Sequence, residues 1–217
     1  MRRRDFSQAA MLSCATVTLG GVSAQALAQP TAFKEGTDYY KLGRPAPVDA
    51  PADKVEVVEF FGYWCPHCAR FEPAFDAWLK KAPAHMAVRR VPVAFRDDNV
   101  PLQRLYYVLE AMGKVEELHG KVFTALHVER VKLNTQDDIA AWLVKQGVDK
   151  AKFLEFYNSF SVAGKARRAT QITEAYQVDG VPGLGVAGKY FTSGSLAKSM
   201  DRALAVVEHL AQPGRKA

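Results

Sequence analysis

The chain has 217 residues, 48% hydrophobic and 24% charged, with a formal net charge of +6 and three cysteines. That length and apolar content suffice for one domain, or a domain with an insertion, around a sizeable core. The modest basic excess makes no case for nucleic-acid binding, no RNA- or DNA-binding motif is present, and so few cysteines cannot form a disulfide scaffold.

Arg2, Arg3 and Arg4 open the chain, a mostly apolar run follows from Ala9 to Val22, and Ala26-Leu27-Ala28 reads as an A-x-A-type cleavage site. Residues 1–28 are therefore expected to be a cleaved export signal, with Gln29 starting the mature chain. The apolar run is too short and interrupted for a membrane span. Arg3-Arg4-Asp5-Phe6 partly matches a twin-arginine signal, so ordinary secretion and twin-arginine export both stay open. Too little apolar sequence precedes Cys14 to favour a lipoprotein. Removing 28 of the 217 residues leaves 189, and the three arginines and one aspartate lost lower the charge from +6 to +4. Cys14 leaves as well, so the exported chain keeps one closely spaced pair, Cys65 and Cys68.

From Pro30 to Asp53 the chain is rich in Pro, Ala and Gly, with a short strand expected at Tyr39–Leu42. Val55 to Phe61 is a near-continuous β-branched and aromatic run, the pattern of a strand covered on both faces. Gly62 ends it. Phe71, Phe75, Trp78 and Leu79 then recur at helical spacing, so the period changes from strand to helix at the cysteines. Met86 to Phe95 is expected as a second core strand, with Met86, Val88, Val91 and Val93 its apolar members. Arg89 and Arg90 interrupt it, and Pro92 argues for an edge position or a bulge. Turn residues at 97–101 lead into helices carrying Leu102 to Met112 and Val115 to Leu126. Thr135 and Asp149 can cap two more, and a long helix is expected from about Val162 to Tyr176. Leu184–Ala187 and Tyr190–Thr192 read as a hairpin turned at Gly188-Lys189. Ser195 is placed as the cap of one final amphipathic helix through Leu210. The order is β, β, α, β, several helices, β, β, α: a thioredoxin-like α/β fold with an inserted α-helical domain. Its boundaries are expected at 29–98 and 170–217 for the core and 99–169 for the insert.

The cysteines carry the chemistry. At the start of a helix, Cys65 meets unpaired backbone N–H groups and the positive end of the macrodipole, which favour thiolate over thiol. Cys65 is thus the expected nucleophile and Cys68, one turn in and better shielded, the resolving cysteine. His67 lies between the sulfurs and, if protonated, adds positive charge near Cys65. Pro66 suits the first helical turn, where its missing N–H costs nothing. A structural disulfide closing so short a loop stabilises little. Zinc needs further ligands, and His85, His119, His127 and His209 are scattered. Glu59 interrupts a strand that ought to be buried. It is either a carboxyl with a raised pKa or a residue facing out at the sheet rim.

The run Glu59-Phe60-Phe61-Gly62-Tyr63-Trp64-Cys65-Pro66-His67-Cys68 resembles the active-site segment of the DsbA family of periplasmic thiol:disulfide oxidoreductases. Pro73 matches the kinking proline of the redox helix of the wider thioredoxin superfamily, and Gly180-Val181-Pro182 resembles its cis-proline loop. The family is itself the usual example of a low-pKa, oxidising cysteine pair, so that tendency comes with the resemblance. The resemblance implies that the Cys65–Cys68 disulfide is donated to reduced, newly exported proteins, that a membrane oxidase of DsbB type re-oxidises the pair, and that no dissociable cofactor or metal is used. It further implies that Val181 and Pro182 pair with extended substrate, that Glu59 relays protons to Cys68, and that the protein works in the periplasm as a monomer. Redox direction is not fixed by the spacing, so a reductase on the same fold stays open. An isomerase of DsbC type, which carries an N-terminal dimerisation domain, does not fit the 36 residues at 29–64 before Cys65. A chaperone-like peptide binder is the reading from another class; unlike the enzyme, it would survive replacement of both cysteines.

Overall fold

A computed structural model describes residues 32–213. The expected export signal at 1–28, its cleavage point and Cys14 lie outside the described residues. Val55–Phe61 forms β2 as its apolar run demands, with every residue from Glu56 on buried. It pairs in parallel with β3, Met86–Pro92, and antiparallel with β4, Gly183–Val186. β5, Tyr190–Ser193, and the two-residue β1, Tyr40–Lys41, complete a sheet in the order β1-β5-β4-β2-β3. The strand at 86–95 is shorter than expected and ends at Pro92, on the sheet edge, where its missing N–H breaks no ladder.

The helices are α1 (Pro66–Leu79), α2 (Val100–Ala111), α3 (Val115–His127), α4 (Gln136–Lys145), α5 (Lys150–Tyr157), α6 (Phe160–Ala175), α7 (Gly194–Ala197) and α8 (Met200–Leu210). Thr135 caps α4 in a reciprocal capping box with Asp138, and Asp149 caps α5. The single final helix expected from Ser195 is two helices. Ser193 caps α7, Lys198 turns left-handed at φ 73°, and Ser199 caps α8. Ser, Thr and Asp at caps satisfy the free N–H groups of the first turn, and three serines within seven residues gave the chain a choice of start. The hairpin turns at Ala187-Gly188, one residue earlier than expected, both with positive φ and with the Lys189 N–H donating to the Val186 carbonyl. A Cβ on Gly188 would lie 2.5 Å from the Ala46 carbonyl oxygen, so that position takes only glycine.

Strand alternation sends β2 side chains to two apolar clusters. Val58 and Phe60 join Leu105, Phe153 and Ile172 of the helices between β3 and β4. Val57 joins Phe71 and Phe75 of α1 and Val206 and Val207 of α8. Glu59 shares the Val57 face, so it lies under α1. No helix among the described residues is long and apolar enough to cross a membrane.

Candidate active site

The strand–helix junction is built by exclusion. Gly62 leaves the strand where a Cβ would meet the Trp64 indole nitrogen at 2.5 Å, so the indole folds back over the backbone and donates to the Val93 carbonyl at 3.2 Å. The Cys65 N–H donates to the Gly62 carbonyl at 3.0 Å. Cys65 is thereby fixed as the extended N-cap of α1, with Pro66 at the first helical position. Pro73 lies inside the same helix.

Both sulfurs are free thiols in buried residues, Cys65 at 4% and Cys68 at 1% exposure. Their environments push them apart. The Cys65 thiol falls from 9.0 to about 6. The chief cause is the Cys68 thiol donating to its sulfur. Burial opposes this, while the backbone N–H groups of Cys68 and His67 and the His67 imidazole add to it. Burial, and then the Cys65 sulfur beside it, push the Cys68 thiol strongly up, with Glu59 a smaller contributor. One cysteine is thus poised as thiolate and the other held as thiol.

The Val181–Pro182 bond is cis, and its loop lies against the pair: the Cys65 thiol donates to the Val181 carbonyl at 3.3 Å. His67 is exposed and its Nδ1 is 2.7 Å from Arg70 Nη2. A guanidinium can only donate, so in this rotamer Nδ1 accepts from Arg70. Beside the thiols a groove of about 650 Å³ is lined by His67, Arg70, Phe71, Val181, Pro182 and Met200, among others.

Glu59 is buried at 1% exposure and does not face out at the rim. In the β2–β3 register it stands opposite Arg90, whose Nε donates to Glu59 Oε2 at 3.0 Å. Arg90 Nη2 also donates to Glu72 Oε1 at 2.5 Å and Asp76 Oδ1 at 2.6 Å, both from α1. Three carboxylates share one guanidinium, and Glu59 Oε1 and Glu72 Oε2 are buried without a hydrogen-bond partner. Burial first, then the Glu72 charge, raise the Glu59 carboxyl well above the carboxylate range against the pull of Arg90.

The expected residues Cys65, Pro66, His67, Cys68, Val181 and Pro182 thus come together at one site, while Glu59 sits beneath it, bonded to Arg90 rather than to a sulfur. Sequence reasoning missed Arg70, Arg90, His119 and His127. Arg90 was legible, since a parallel β2–β3 pairing aligns it with Glu59. His119 and His127 are scattered along the chain, yet both reach Tyr63, at 2.6 Å to its hydroxyl and 2.7 Å to its carbonyl. Nothing local in the chain marks contacts 56 and 64 residues apart. Among the described residues no group of three or more His, Cys, Asp or Glu is arranged to hold a metal ion.

Known proteins bear on this geometry. The profile of the DSBA-like thioredoxin domain matches residues 91–205. A curated "Thiol:disulfide interchange protein DsbA" of Burkholderia cepacia is 42% identical over 200 residues, 92% of this chain and 94% of that protein. One of Pseudomonas aeruginosa is 40% identical over 215 residues, 99% and 98% of the two chains. Spans of that extent necessarily include the cysteine pair. A crystal structure of Pseudomonas aeruginosa DsbA is 39% identical, with a TM-score of 0.77, covering 81% of this chain and 91% of that one. NmDsbA1 of Neisseria meningitidis is 31% identical, with a TM-score of 0.71, covering 82% and 92%. With a poised dithiol at a strand–helix junction, a cis-proline loop across from it and relatives of this identity over nearly the whole chain, the protein belongs to the DsbA family of thiol:disulfide oxidoreductases.

Proposed function

We propose that this disulfide oxidoreductase donates the Cys65–Cys68 disulfide to reduced proteins newly exported to the periplasm. A substrate thiolate attacks the Cys65 sulfur, the Cys65–Cys68 bond breaks, and Cys68 leaves and takes up a proton. A second substrate thiolate attacks the substrate sulfur of the mixed disulfide and releases Cys65 as thiolate. The substrate loses two electrons and two protons; the pair gains both electrons, one proton stays on Cys68 and the other passes to solvent. The observation that carries this reading is the split between the sulfurs, with Cys65 held at about 6 and Cys68 pushed up. A well-stabilised leaving thiolate makes the disulfide oxidising.

The supporting roles are part of the same proposal. Val181 and Pro182 offer backbone to an extended substrate beside the groove, which suits broad substrate choice. His67 and Pro66 shape the thiolate site, and Glu59 exchanges protons beneath Cys68. Helices from residues 99–169 form an insert on the thioredoxin-like core at 29–98 and 170–217. Residues 1–28 direct export, a membrane oxidase of DsbB type restores the disulfide, and the chain acts as a monomer without a cofactor.

A redox titration in glutathione buffers, read by Trp64 fluorescence or thiol labelling, tests the direction. A pair already reduced under weakly reducing conditions is expected. A pair that stays oxidised until strongly reducing conditions would reverse the assignment to a reductase.

A further inference from the structure

Tyr63, two residues before Cys65, is held at both ends by one helix. His127 Nε2–H donates to its carbonyl at 2.7 Å, and its hydroxyl lies 2.6 Å from His119 Nδ1. The two histidines are eight residues apart on α3, just over two turns, so both can face the loop. His119 is only 4% exposed and its ring sits edge-on among Phe61, Tyr106 and Phe123. Its Nε2 faces Glu72 Oε1 at 3.2 Å, bent away from hydrogen-bond alignment. That oxygen already accepts from Arg90, so the facing Nε2 carries the proton. In a neutral ring Nδ1 is then the acceptor, and the Tyr63 hydroxyl donates to it.

His119 therefore stands between the charged cluster of Glu59, Glu72, Asp76 and Arg90, which it meets at Glu72 across 3.2 Å, and the loop that delivers Cys65 to its helix N-terminus, to which it is hydrogen-bonded. Resting on the disulfide-exchange reading above, we infer that His119 is a positioning residue: through its hydrogen bond to Tyr63 it holds the Gly62–Cys65 loop where the Cys68 and His67 backbone N–H groups reach the Cys65 sulfur, and so sets the redox equilibrium of the pair. The titratable groups against it are Tyr63 from the loop, Glu72 from α1 and Tyr106 from α2, and behind Glu72 stand Arg90 of β3 and, through it, Glu59 of β2 and Asp76 of α1. A buried hydroxyl robbed of its acceptor shifts toward another partner, which here moves the loop and weakens the thiolate.

The test is the equilibrium constant of the full chain with glutathione, measured for wild type, His119→Leu, His119→Gln, Tyr63→Phe and the His119→Leu/Tyr63→Phe double variant. Leu and Phe are each expected to shift the pair toward disulfide by about three- to tenfold, the weight of one net hydrogen bond. The double variant should shift no further than either, and Gln, whose amide offers an acceptor to Tyr63 and a donor to Glu72, should return the constant to within about twofold of wild type. If Leu does not fold, Tyr63→Phe decides, since it removes one oxygen and keeps the ring. Constants unmoved by Leu and Phe overturn the inference, as does a Gln variant shifted as far as Leu, which would make ring packing the cause. A wild-type chain that does not exchange with glutathione overturns the exchange reading as well, and the two failures are thus distinct.

Discussion

Cys65 and Cys68 differ by three positions in sequence and by opposite electrostatic fates. The folded value of Cys65 lies below the ordinary 9.0 of a free thiol, so its ionisation stabilises the reduced fold fully above that pH, and the contribution is lost as pH falls through about 6. Disulfide closure removes the thiolate, so the oxidised form has no such term. The melting temperature of the reduced form is therefore expected to gain on that of the oxidised form between about pH 5 and about pH 8, and to exceed it at neutral pH. A gap independent of pH, or an oxidised form that melts higher at neutral pH, would show that Cys65 is not the group stabilised. At this scale the sequence is readable wherever a role depends on near neighbours. Cys65, Pro66, His67 and Cys68 are ordered by their own turn of helix. His119 acts on residues from other elements, and its chain neighbours say nothing of it.

Element by element, the junction between β2 and α1 is the most constrained piece of backbone. Gly62 has no Cβ because the Trp64 indole occupies that space, and the indole in turn ties the loop to Val93. Gly62→Ala should displace the indole, break its hydrogen bond, and raise the reactivity threshold of Cys65 by loosening the N-cap. The expected signs are altered Trp fluorescence in the reduced chain and an alkylation midpoint above about 6; unchanged values of both would mean the loop tolerates the methyl. Most elements follow from periodicity and caps, because Thr135, Asp149 and the apolar spacings act within single turns. The division of the final helix escapes such reasoning because its break is a left-handed residue, Lys198, whose type gives no warning. Each of the three nearby serines suits a cap.

Across the whole molecule, one guanidinium joins β2, β3 and α1, and His119 adds α3 to the same knot. The side chain of Arg90 is 10% exposed and those of Glu59 and Glu72 are 1% and 6%. Removing the cation alone leaves buried carboxylates facing one another. Arg90→Met is expected to cost about 3–5 kcal/mol in urea unfolding, and Arg90→Lys distinctly less. A loss below about 1 kcal/mol for Met would mean the carboxyls simply take up protons. The parallel register makes Glu59–Arg90 foreseeable, but the convergence of Glu72, Asp76 and His119 on the same point is a property of packing, for which a linear chain holds no signal.

The sheet ends on one side in a strand of two residues and on the other in a strand that carries Arg89, Arg90 and a terminal proline. For a disulfide oxidoreductase that acts on reduced proteins, this has a practical meaning. Neither margin offers the long, uncharged ladder on which a stray chain could zip up and stay. A sheet blunted at both edges resists extension by another chain, which under the proposed function leaves the groove beside the sulfurs, rather than the sheet, as the surface for an extended substrate.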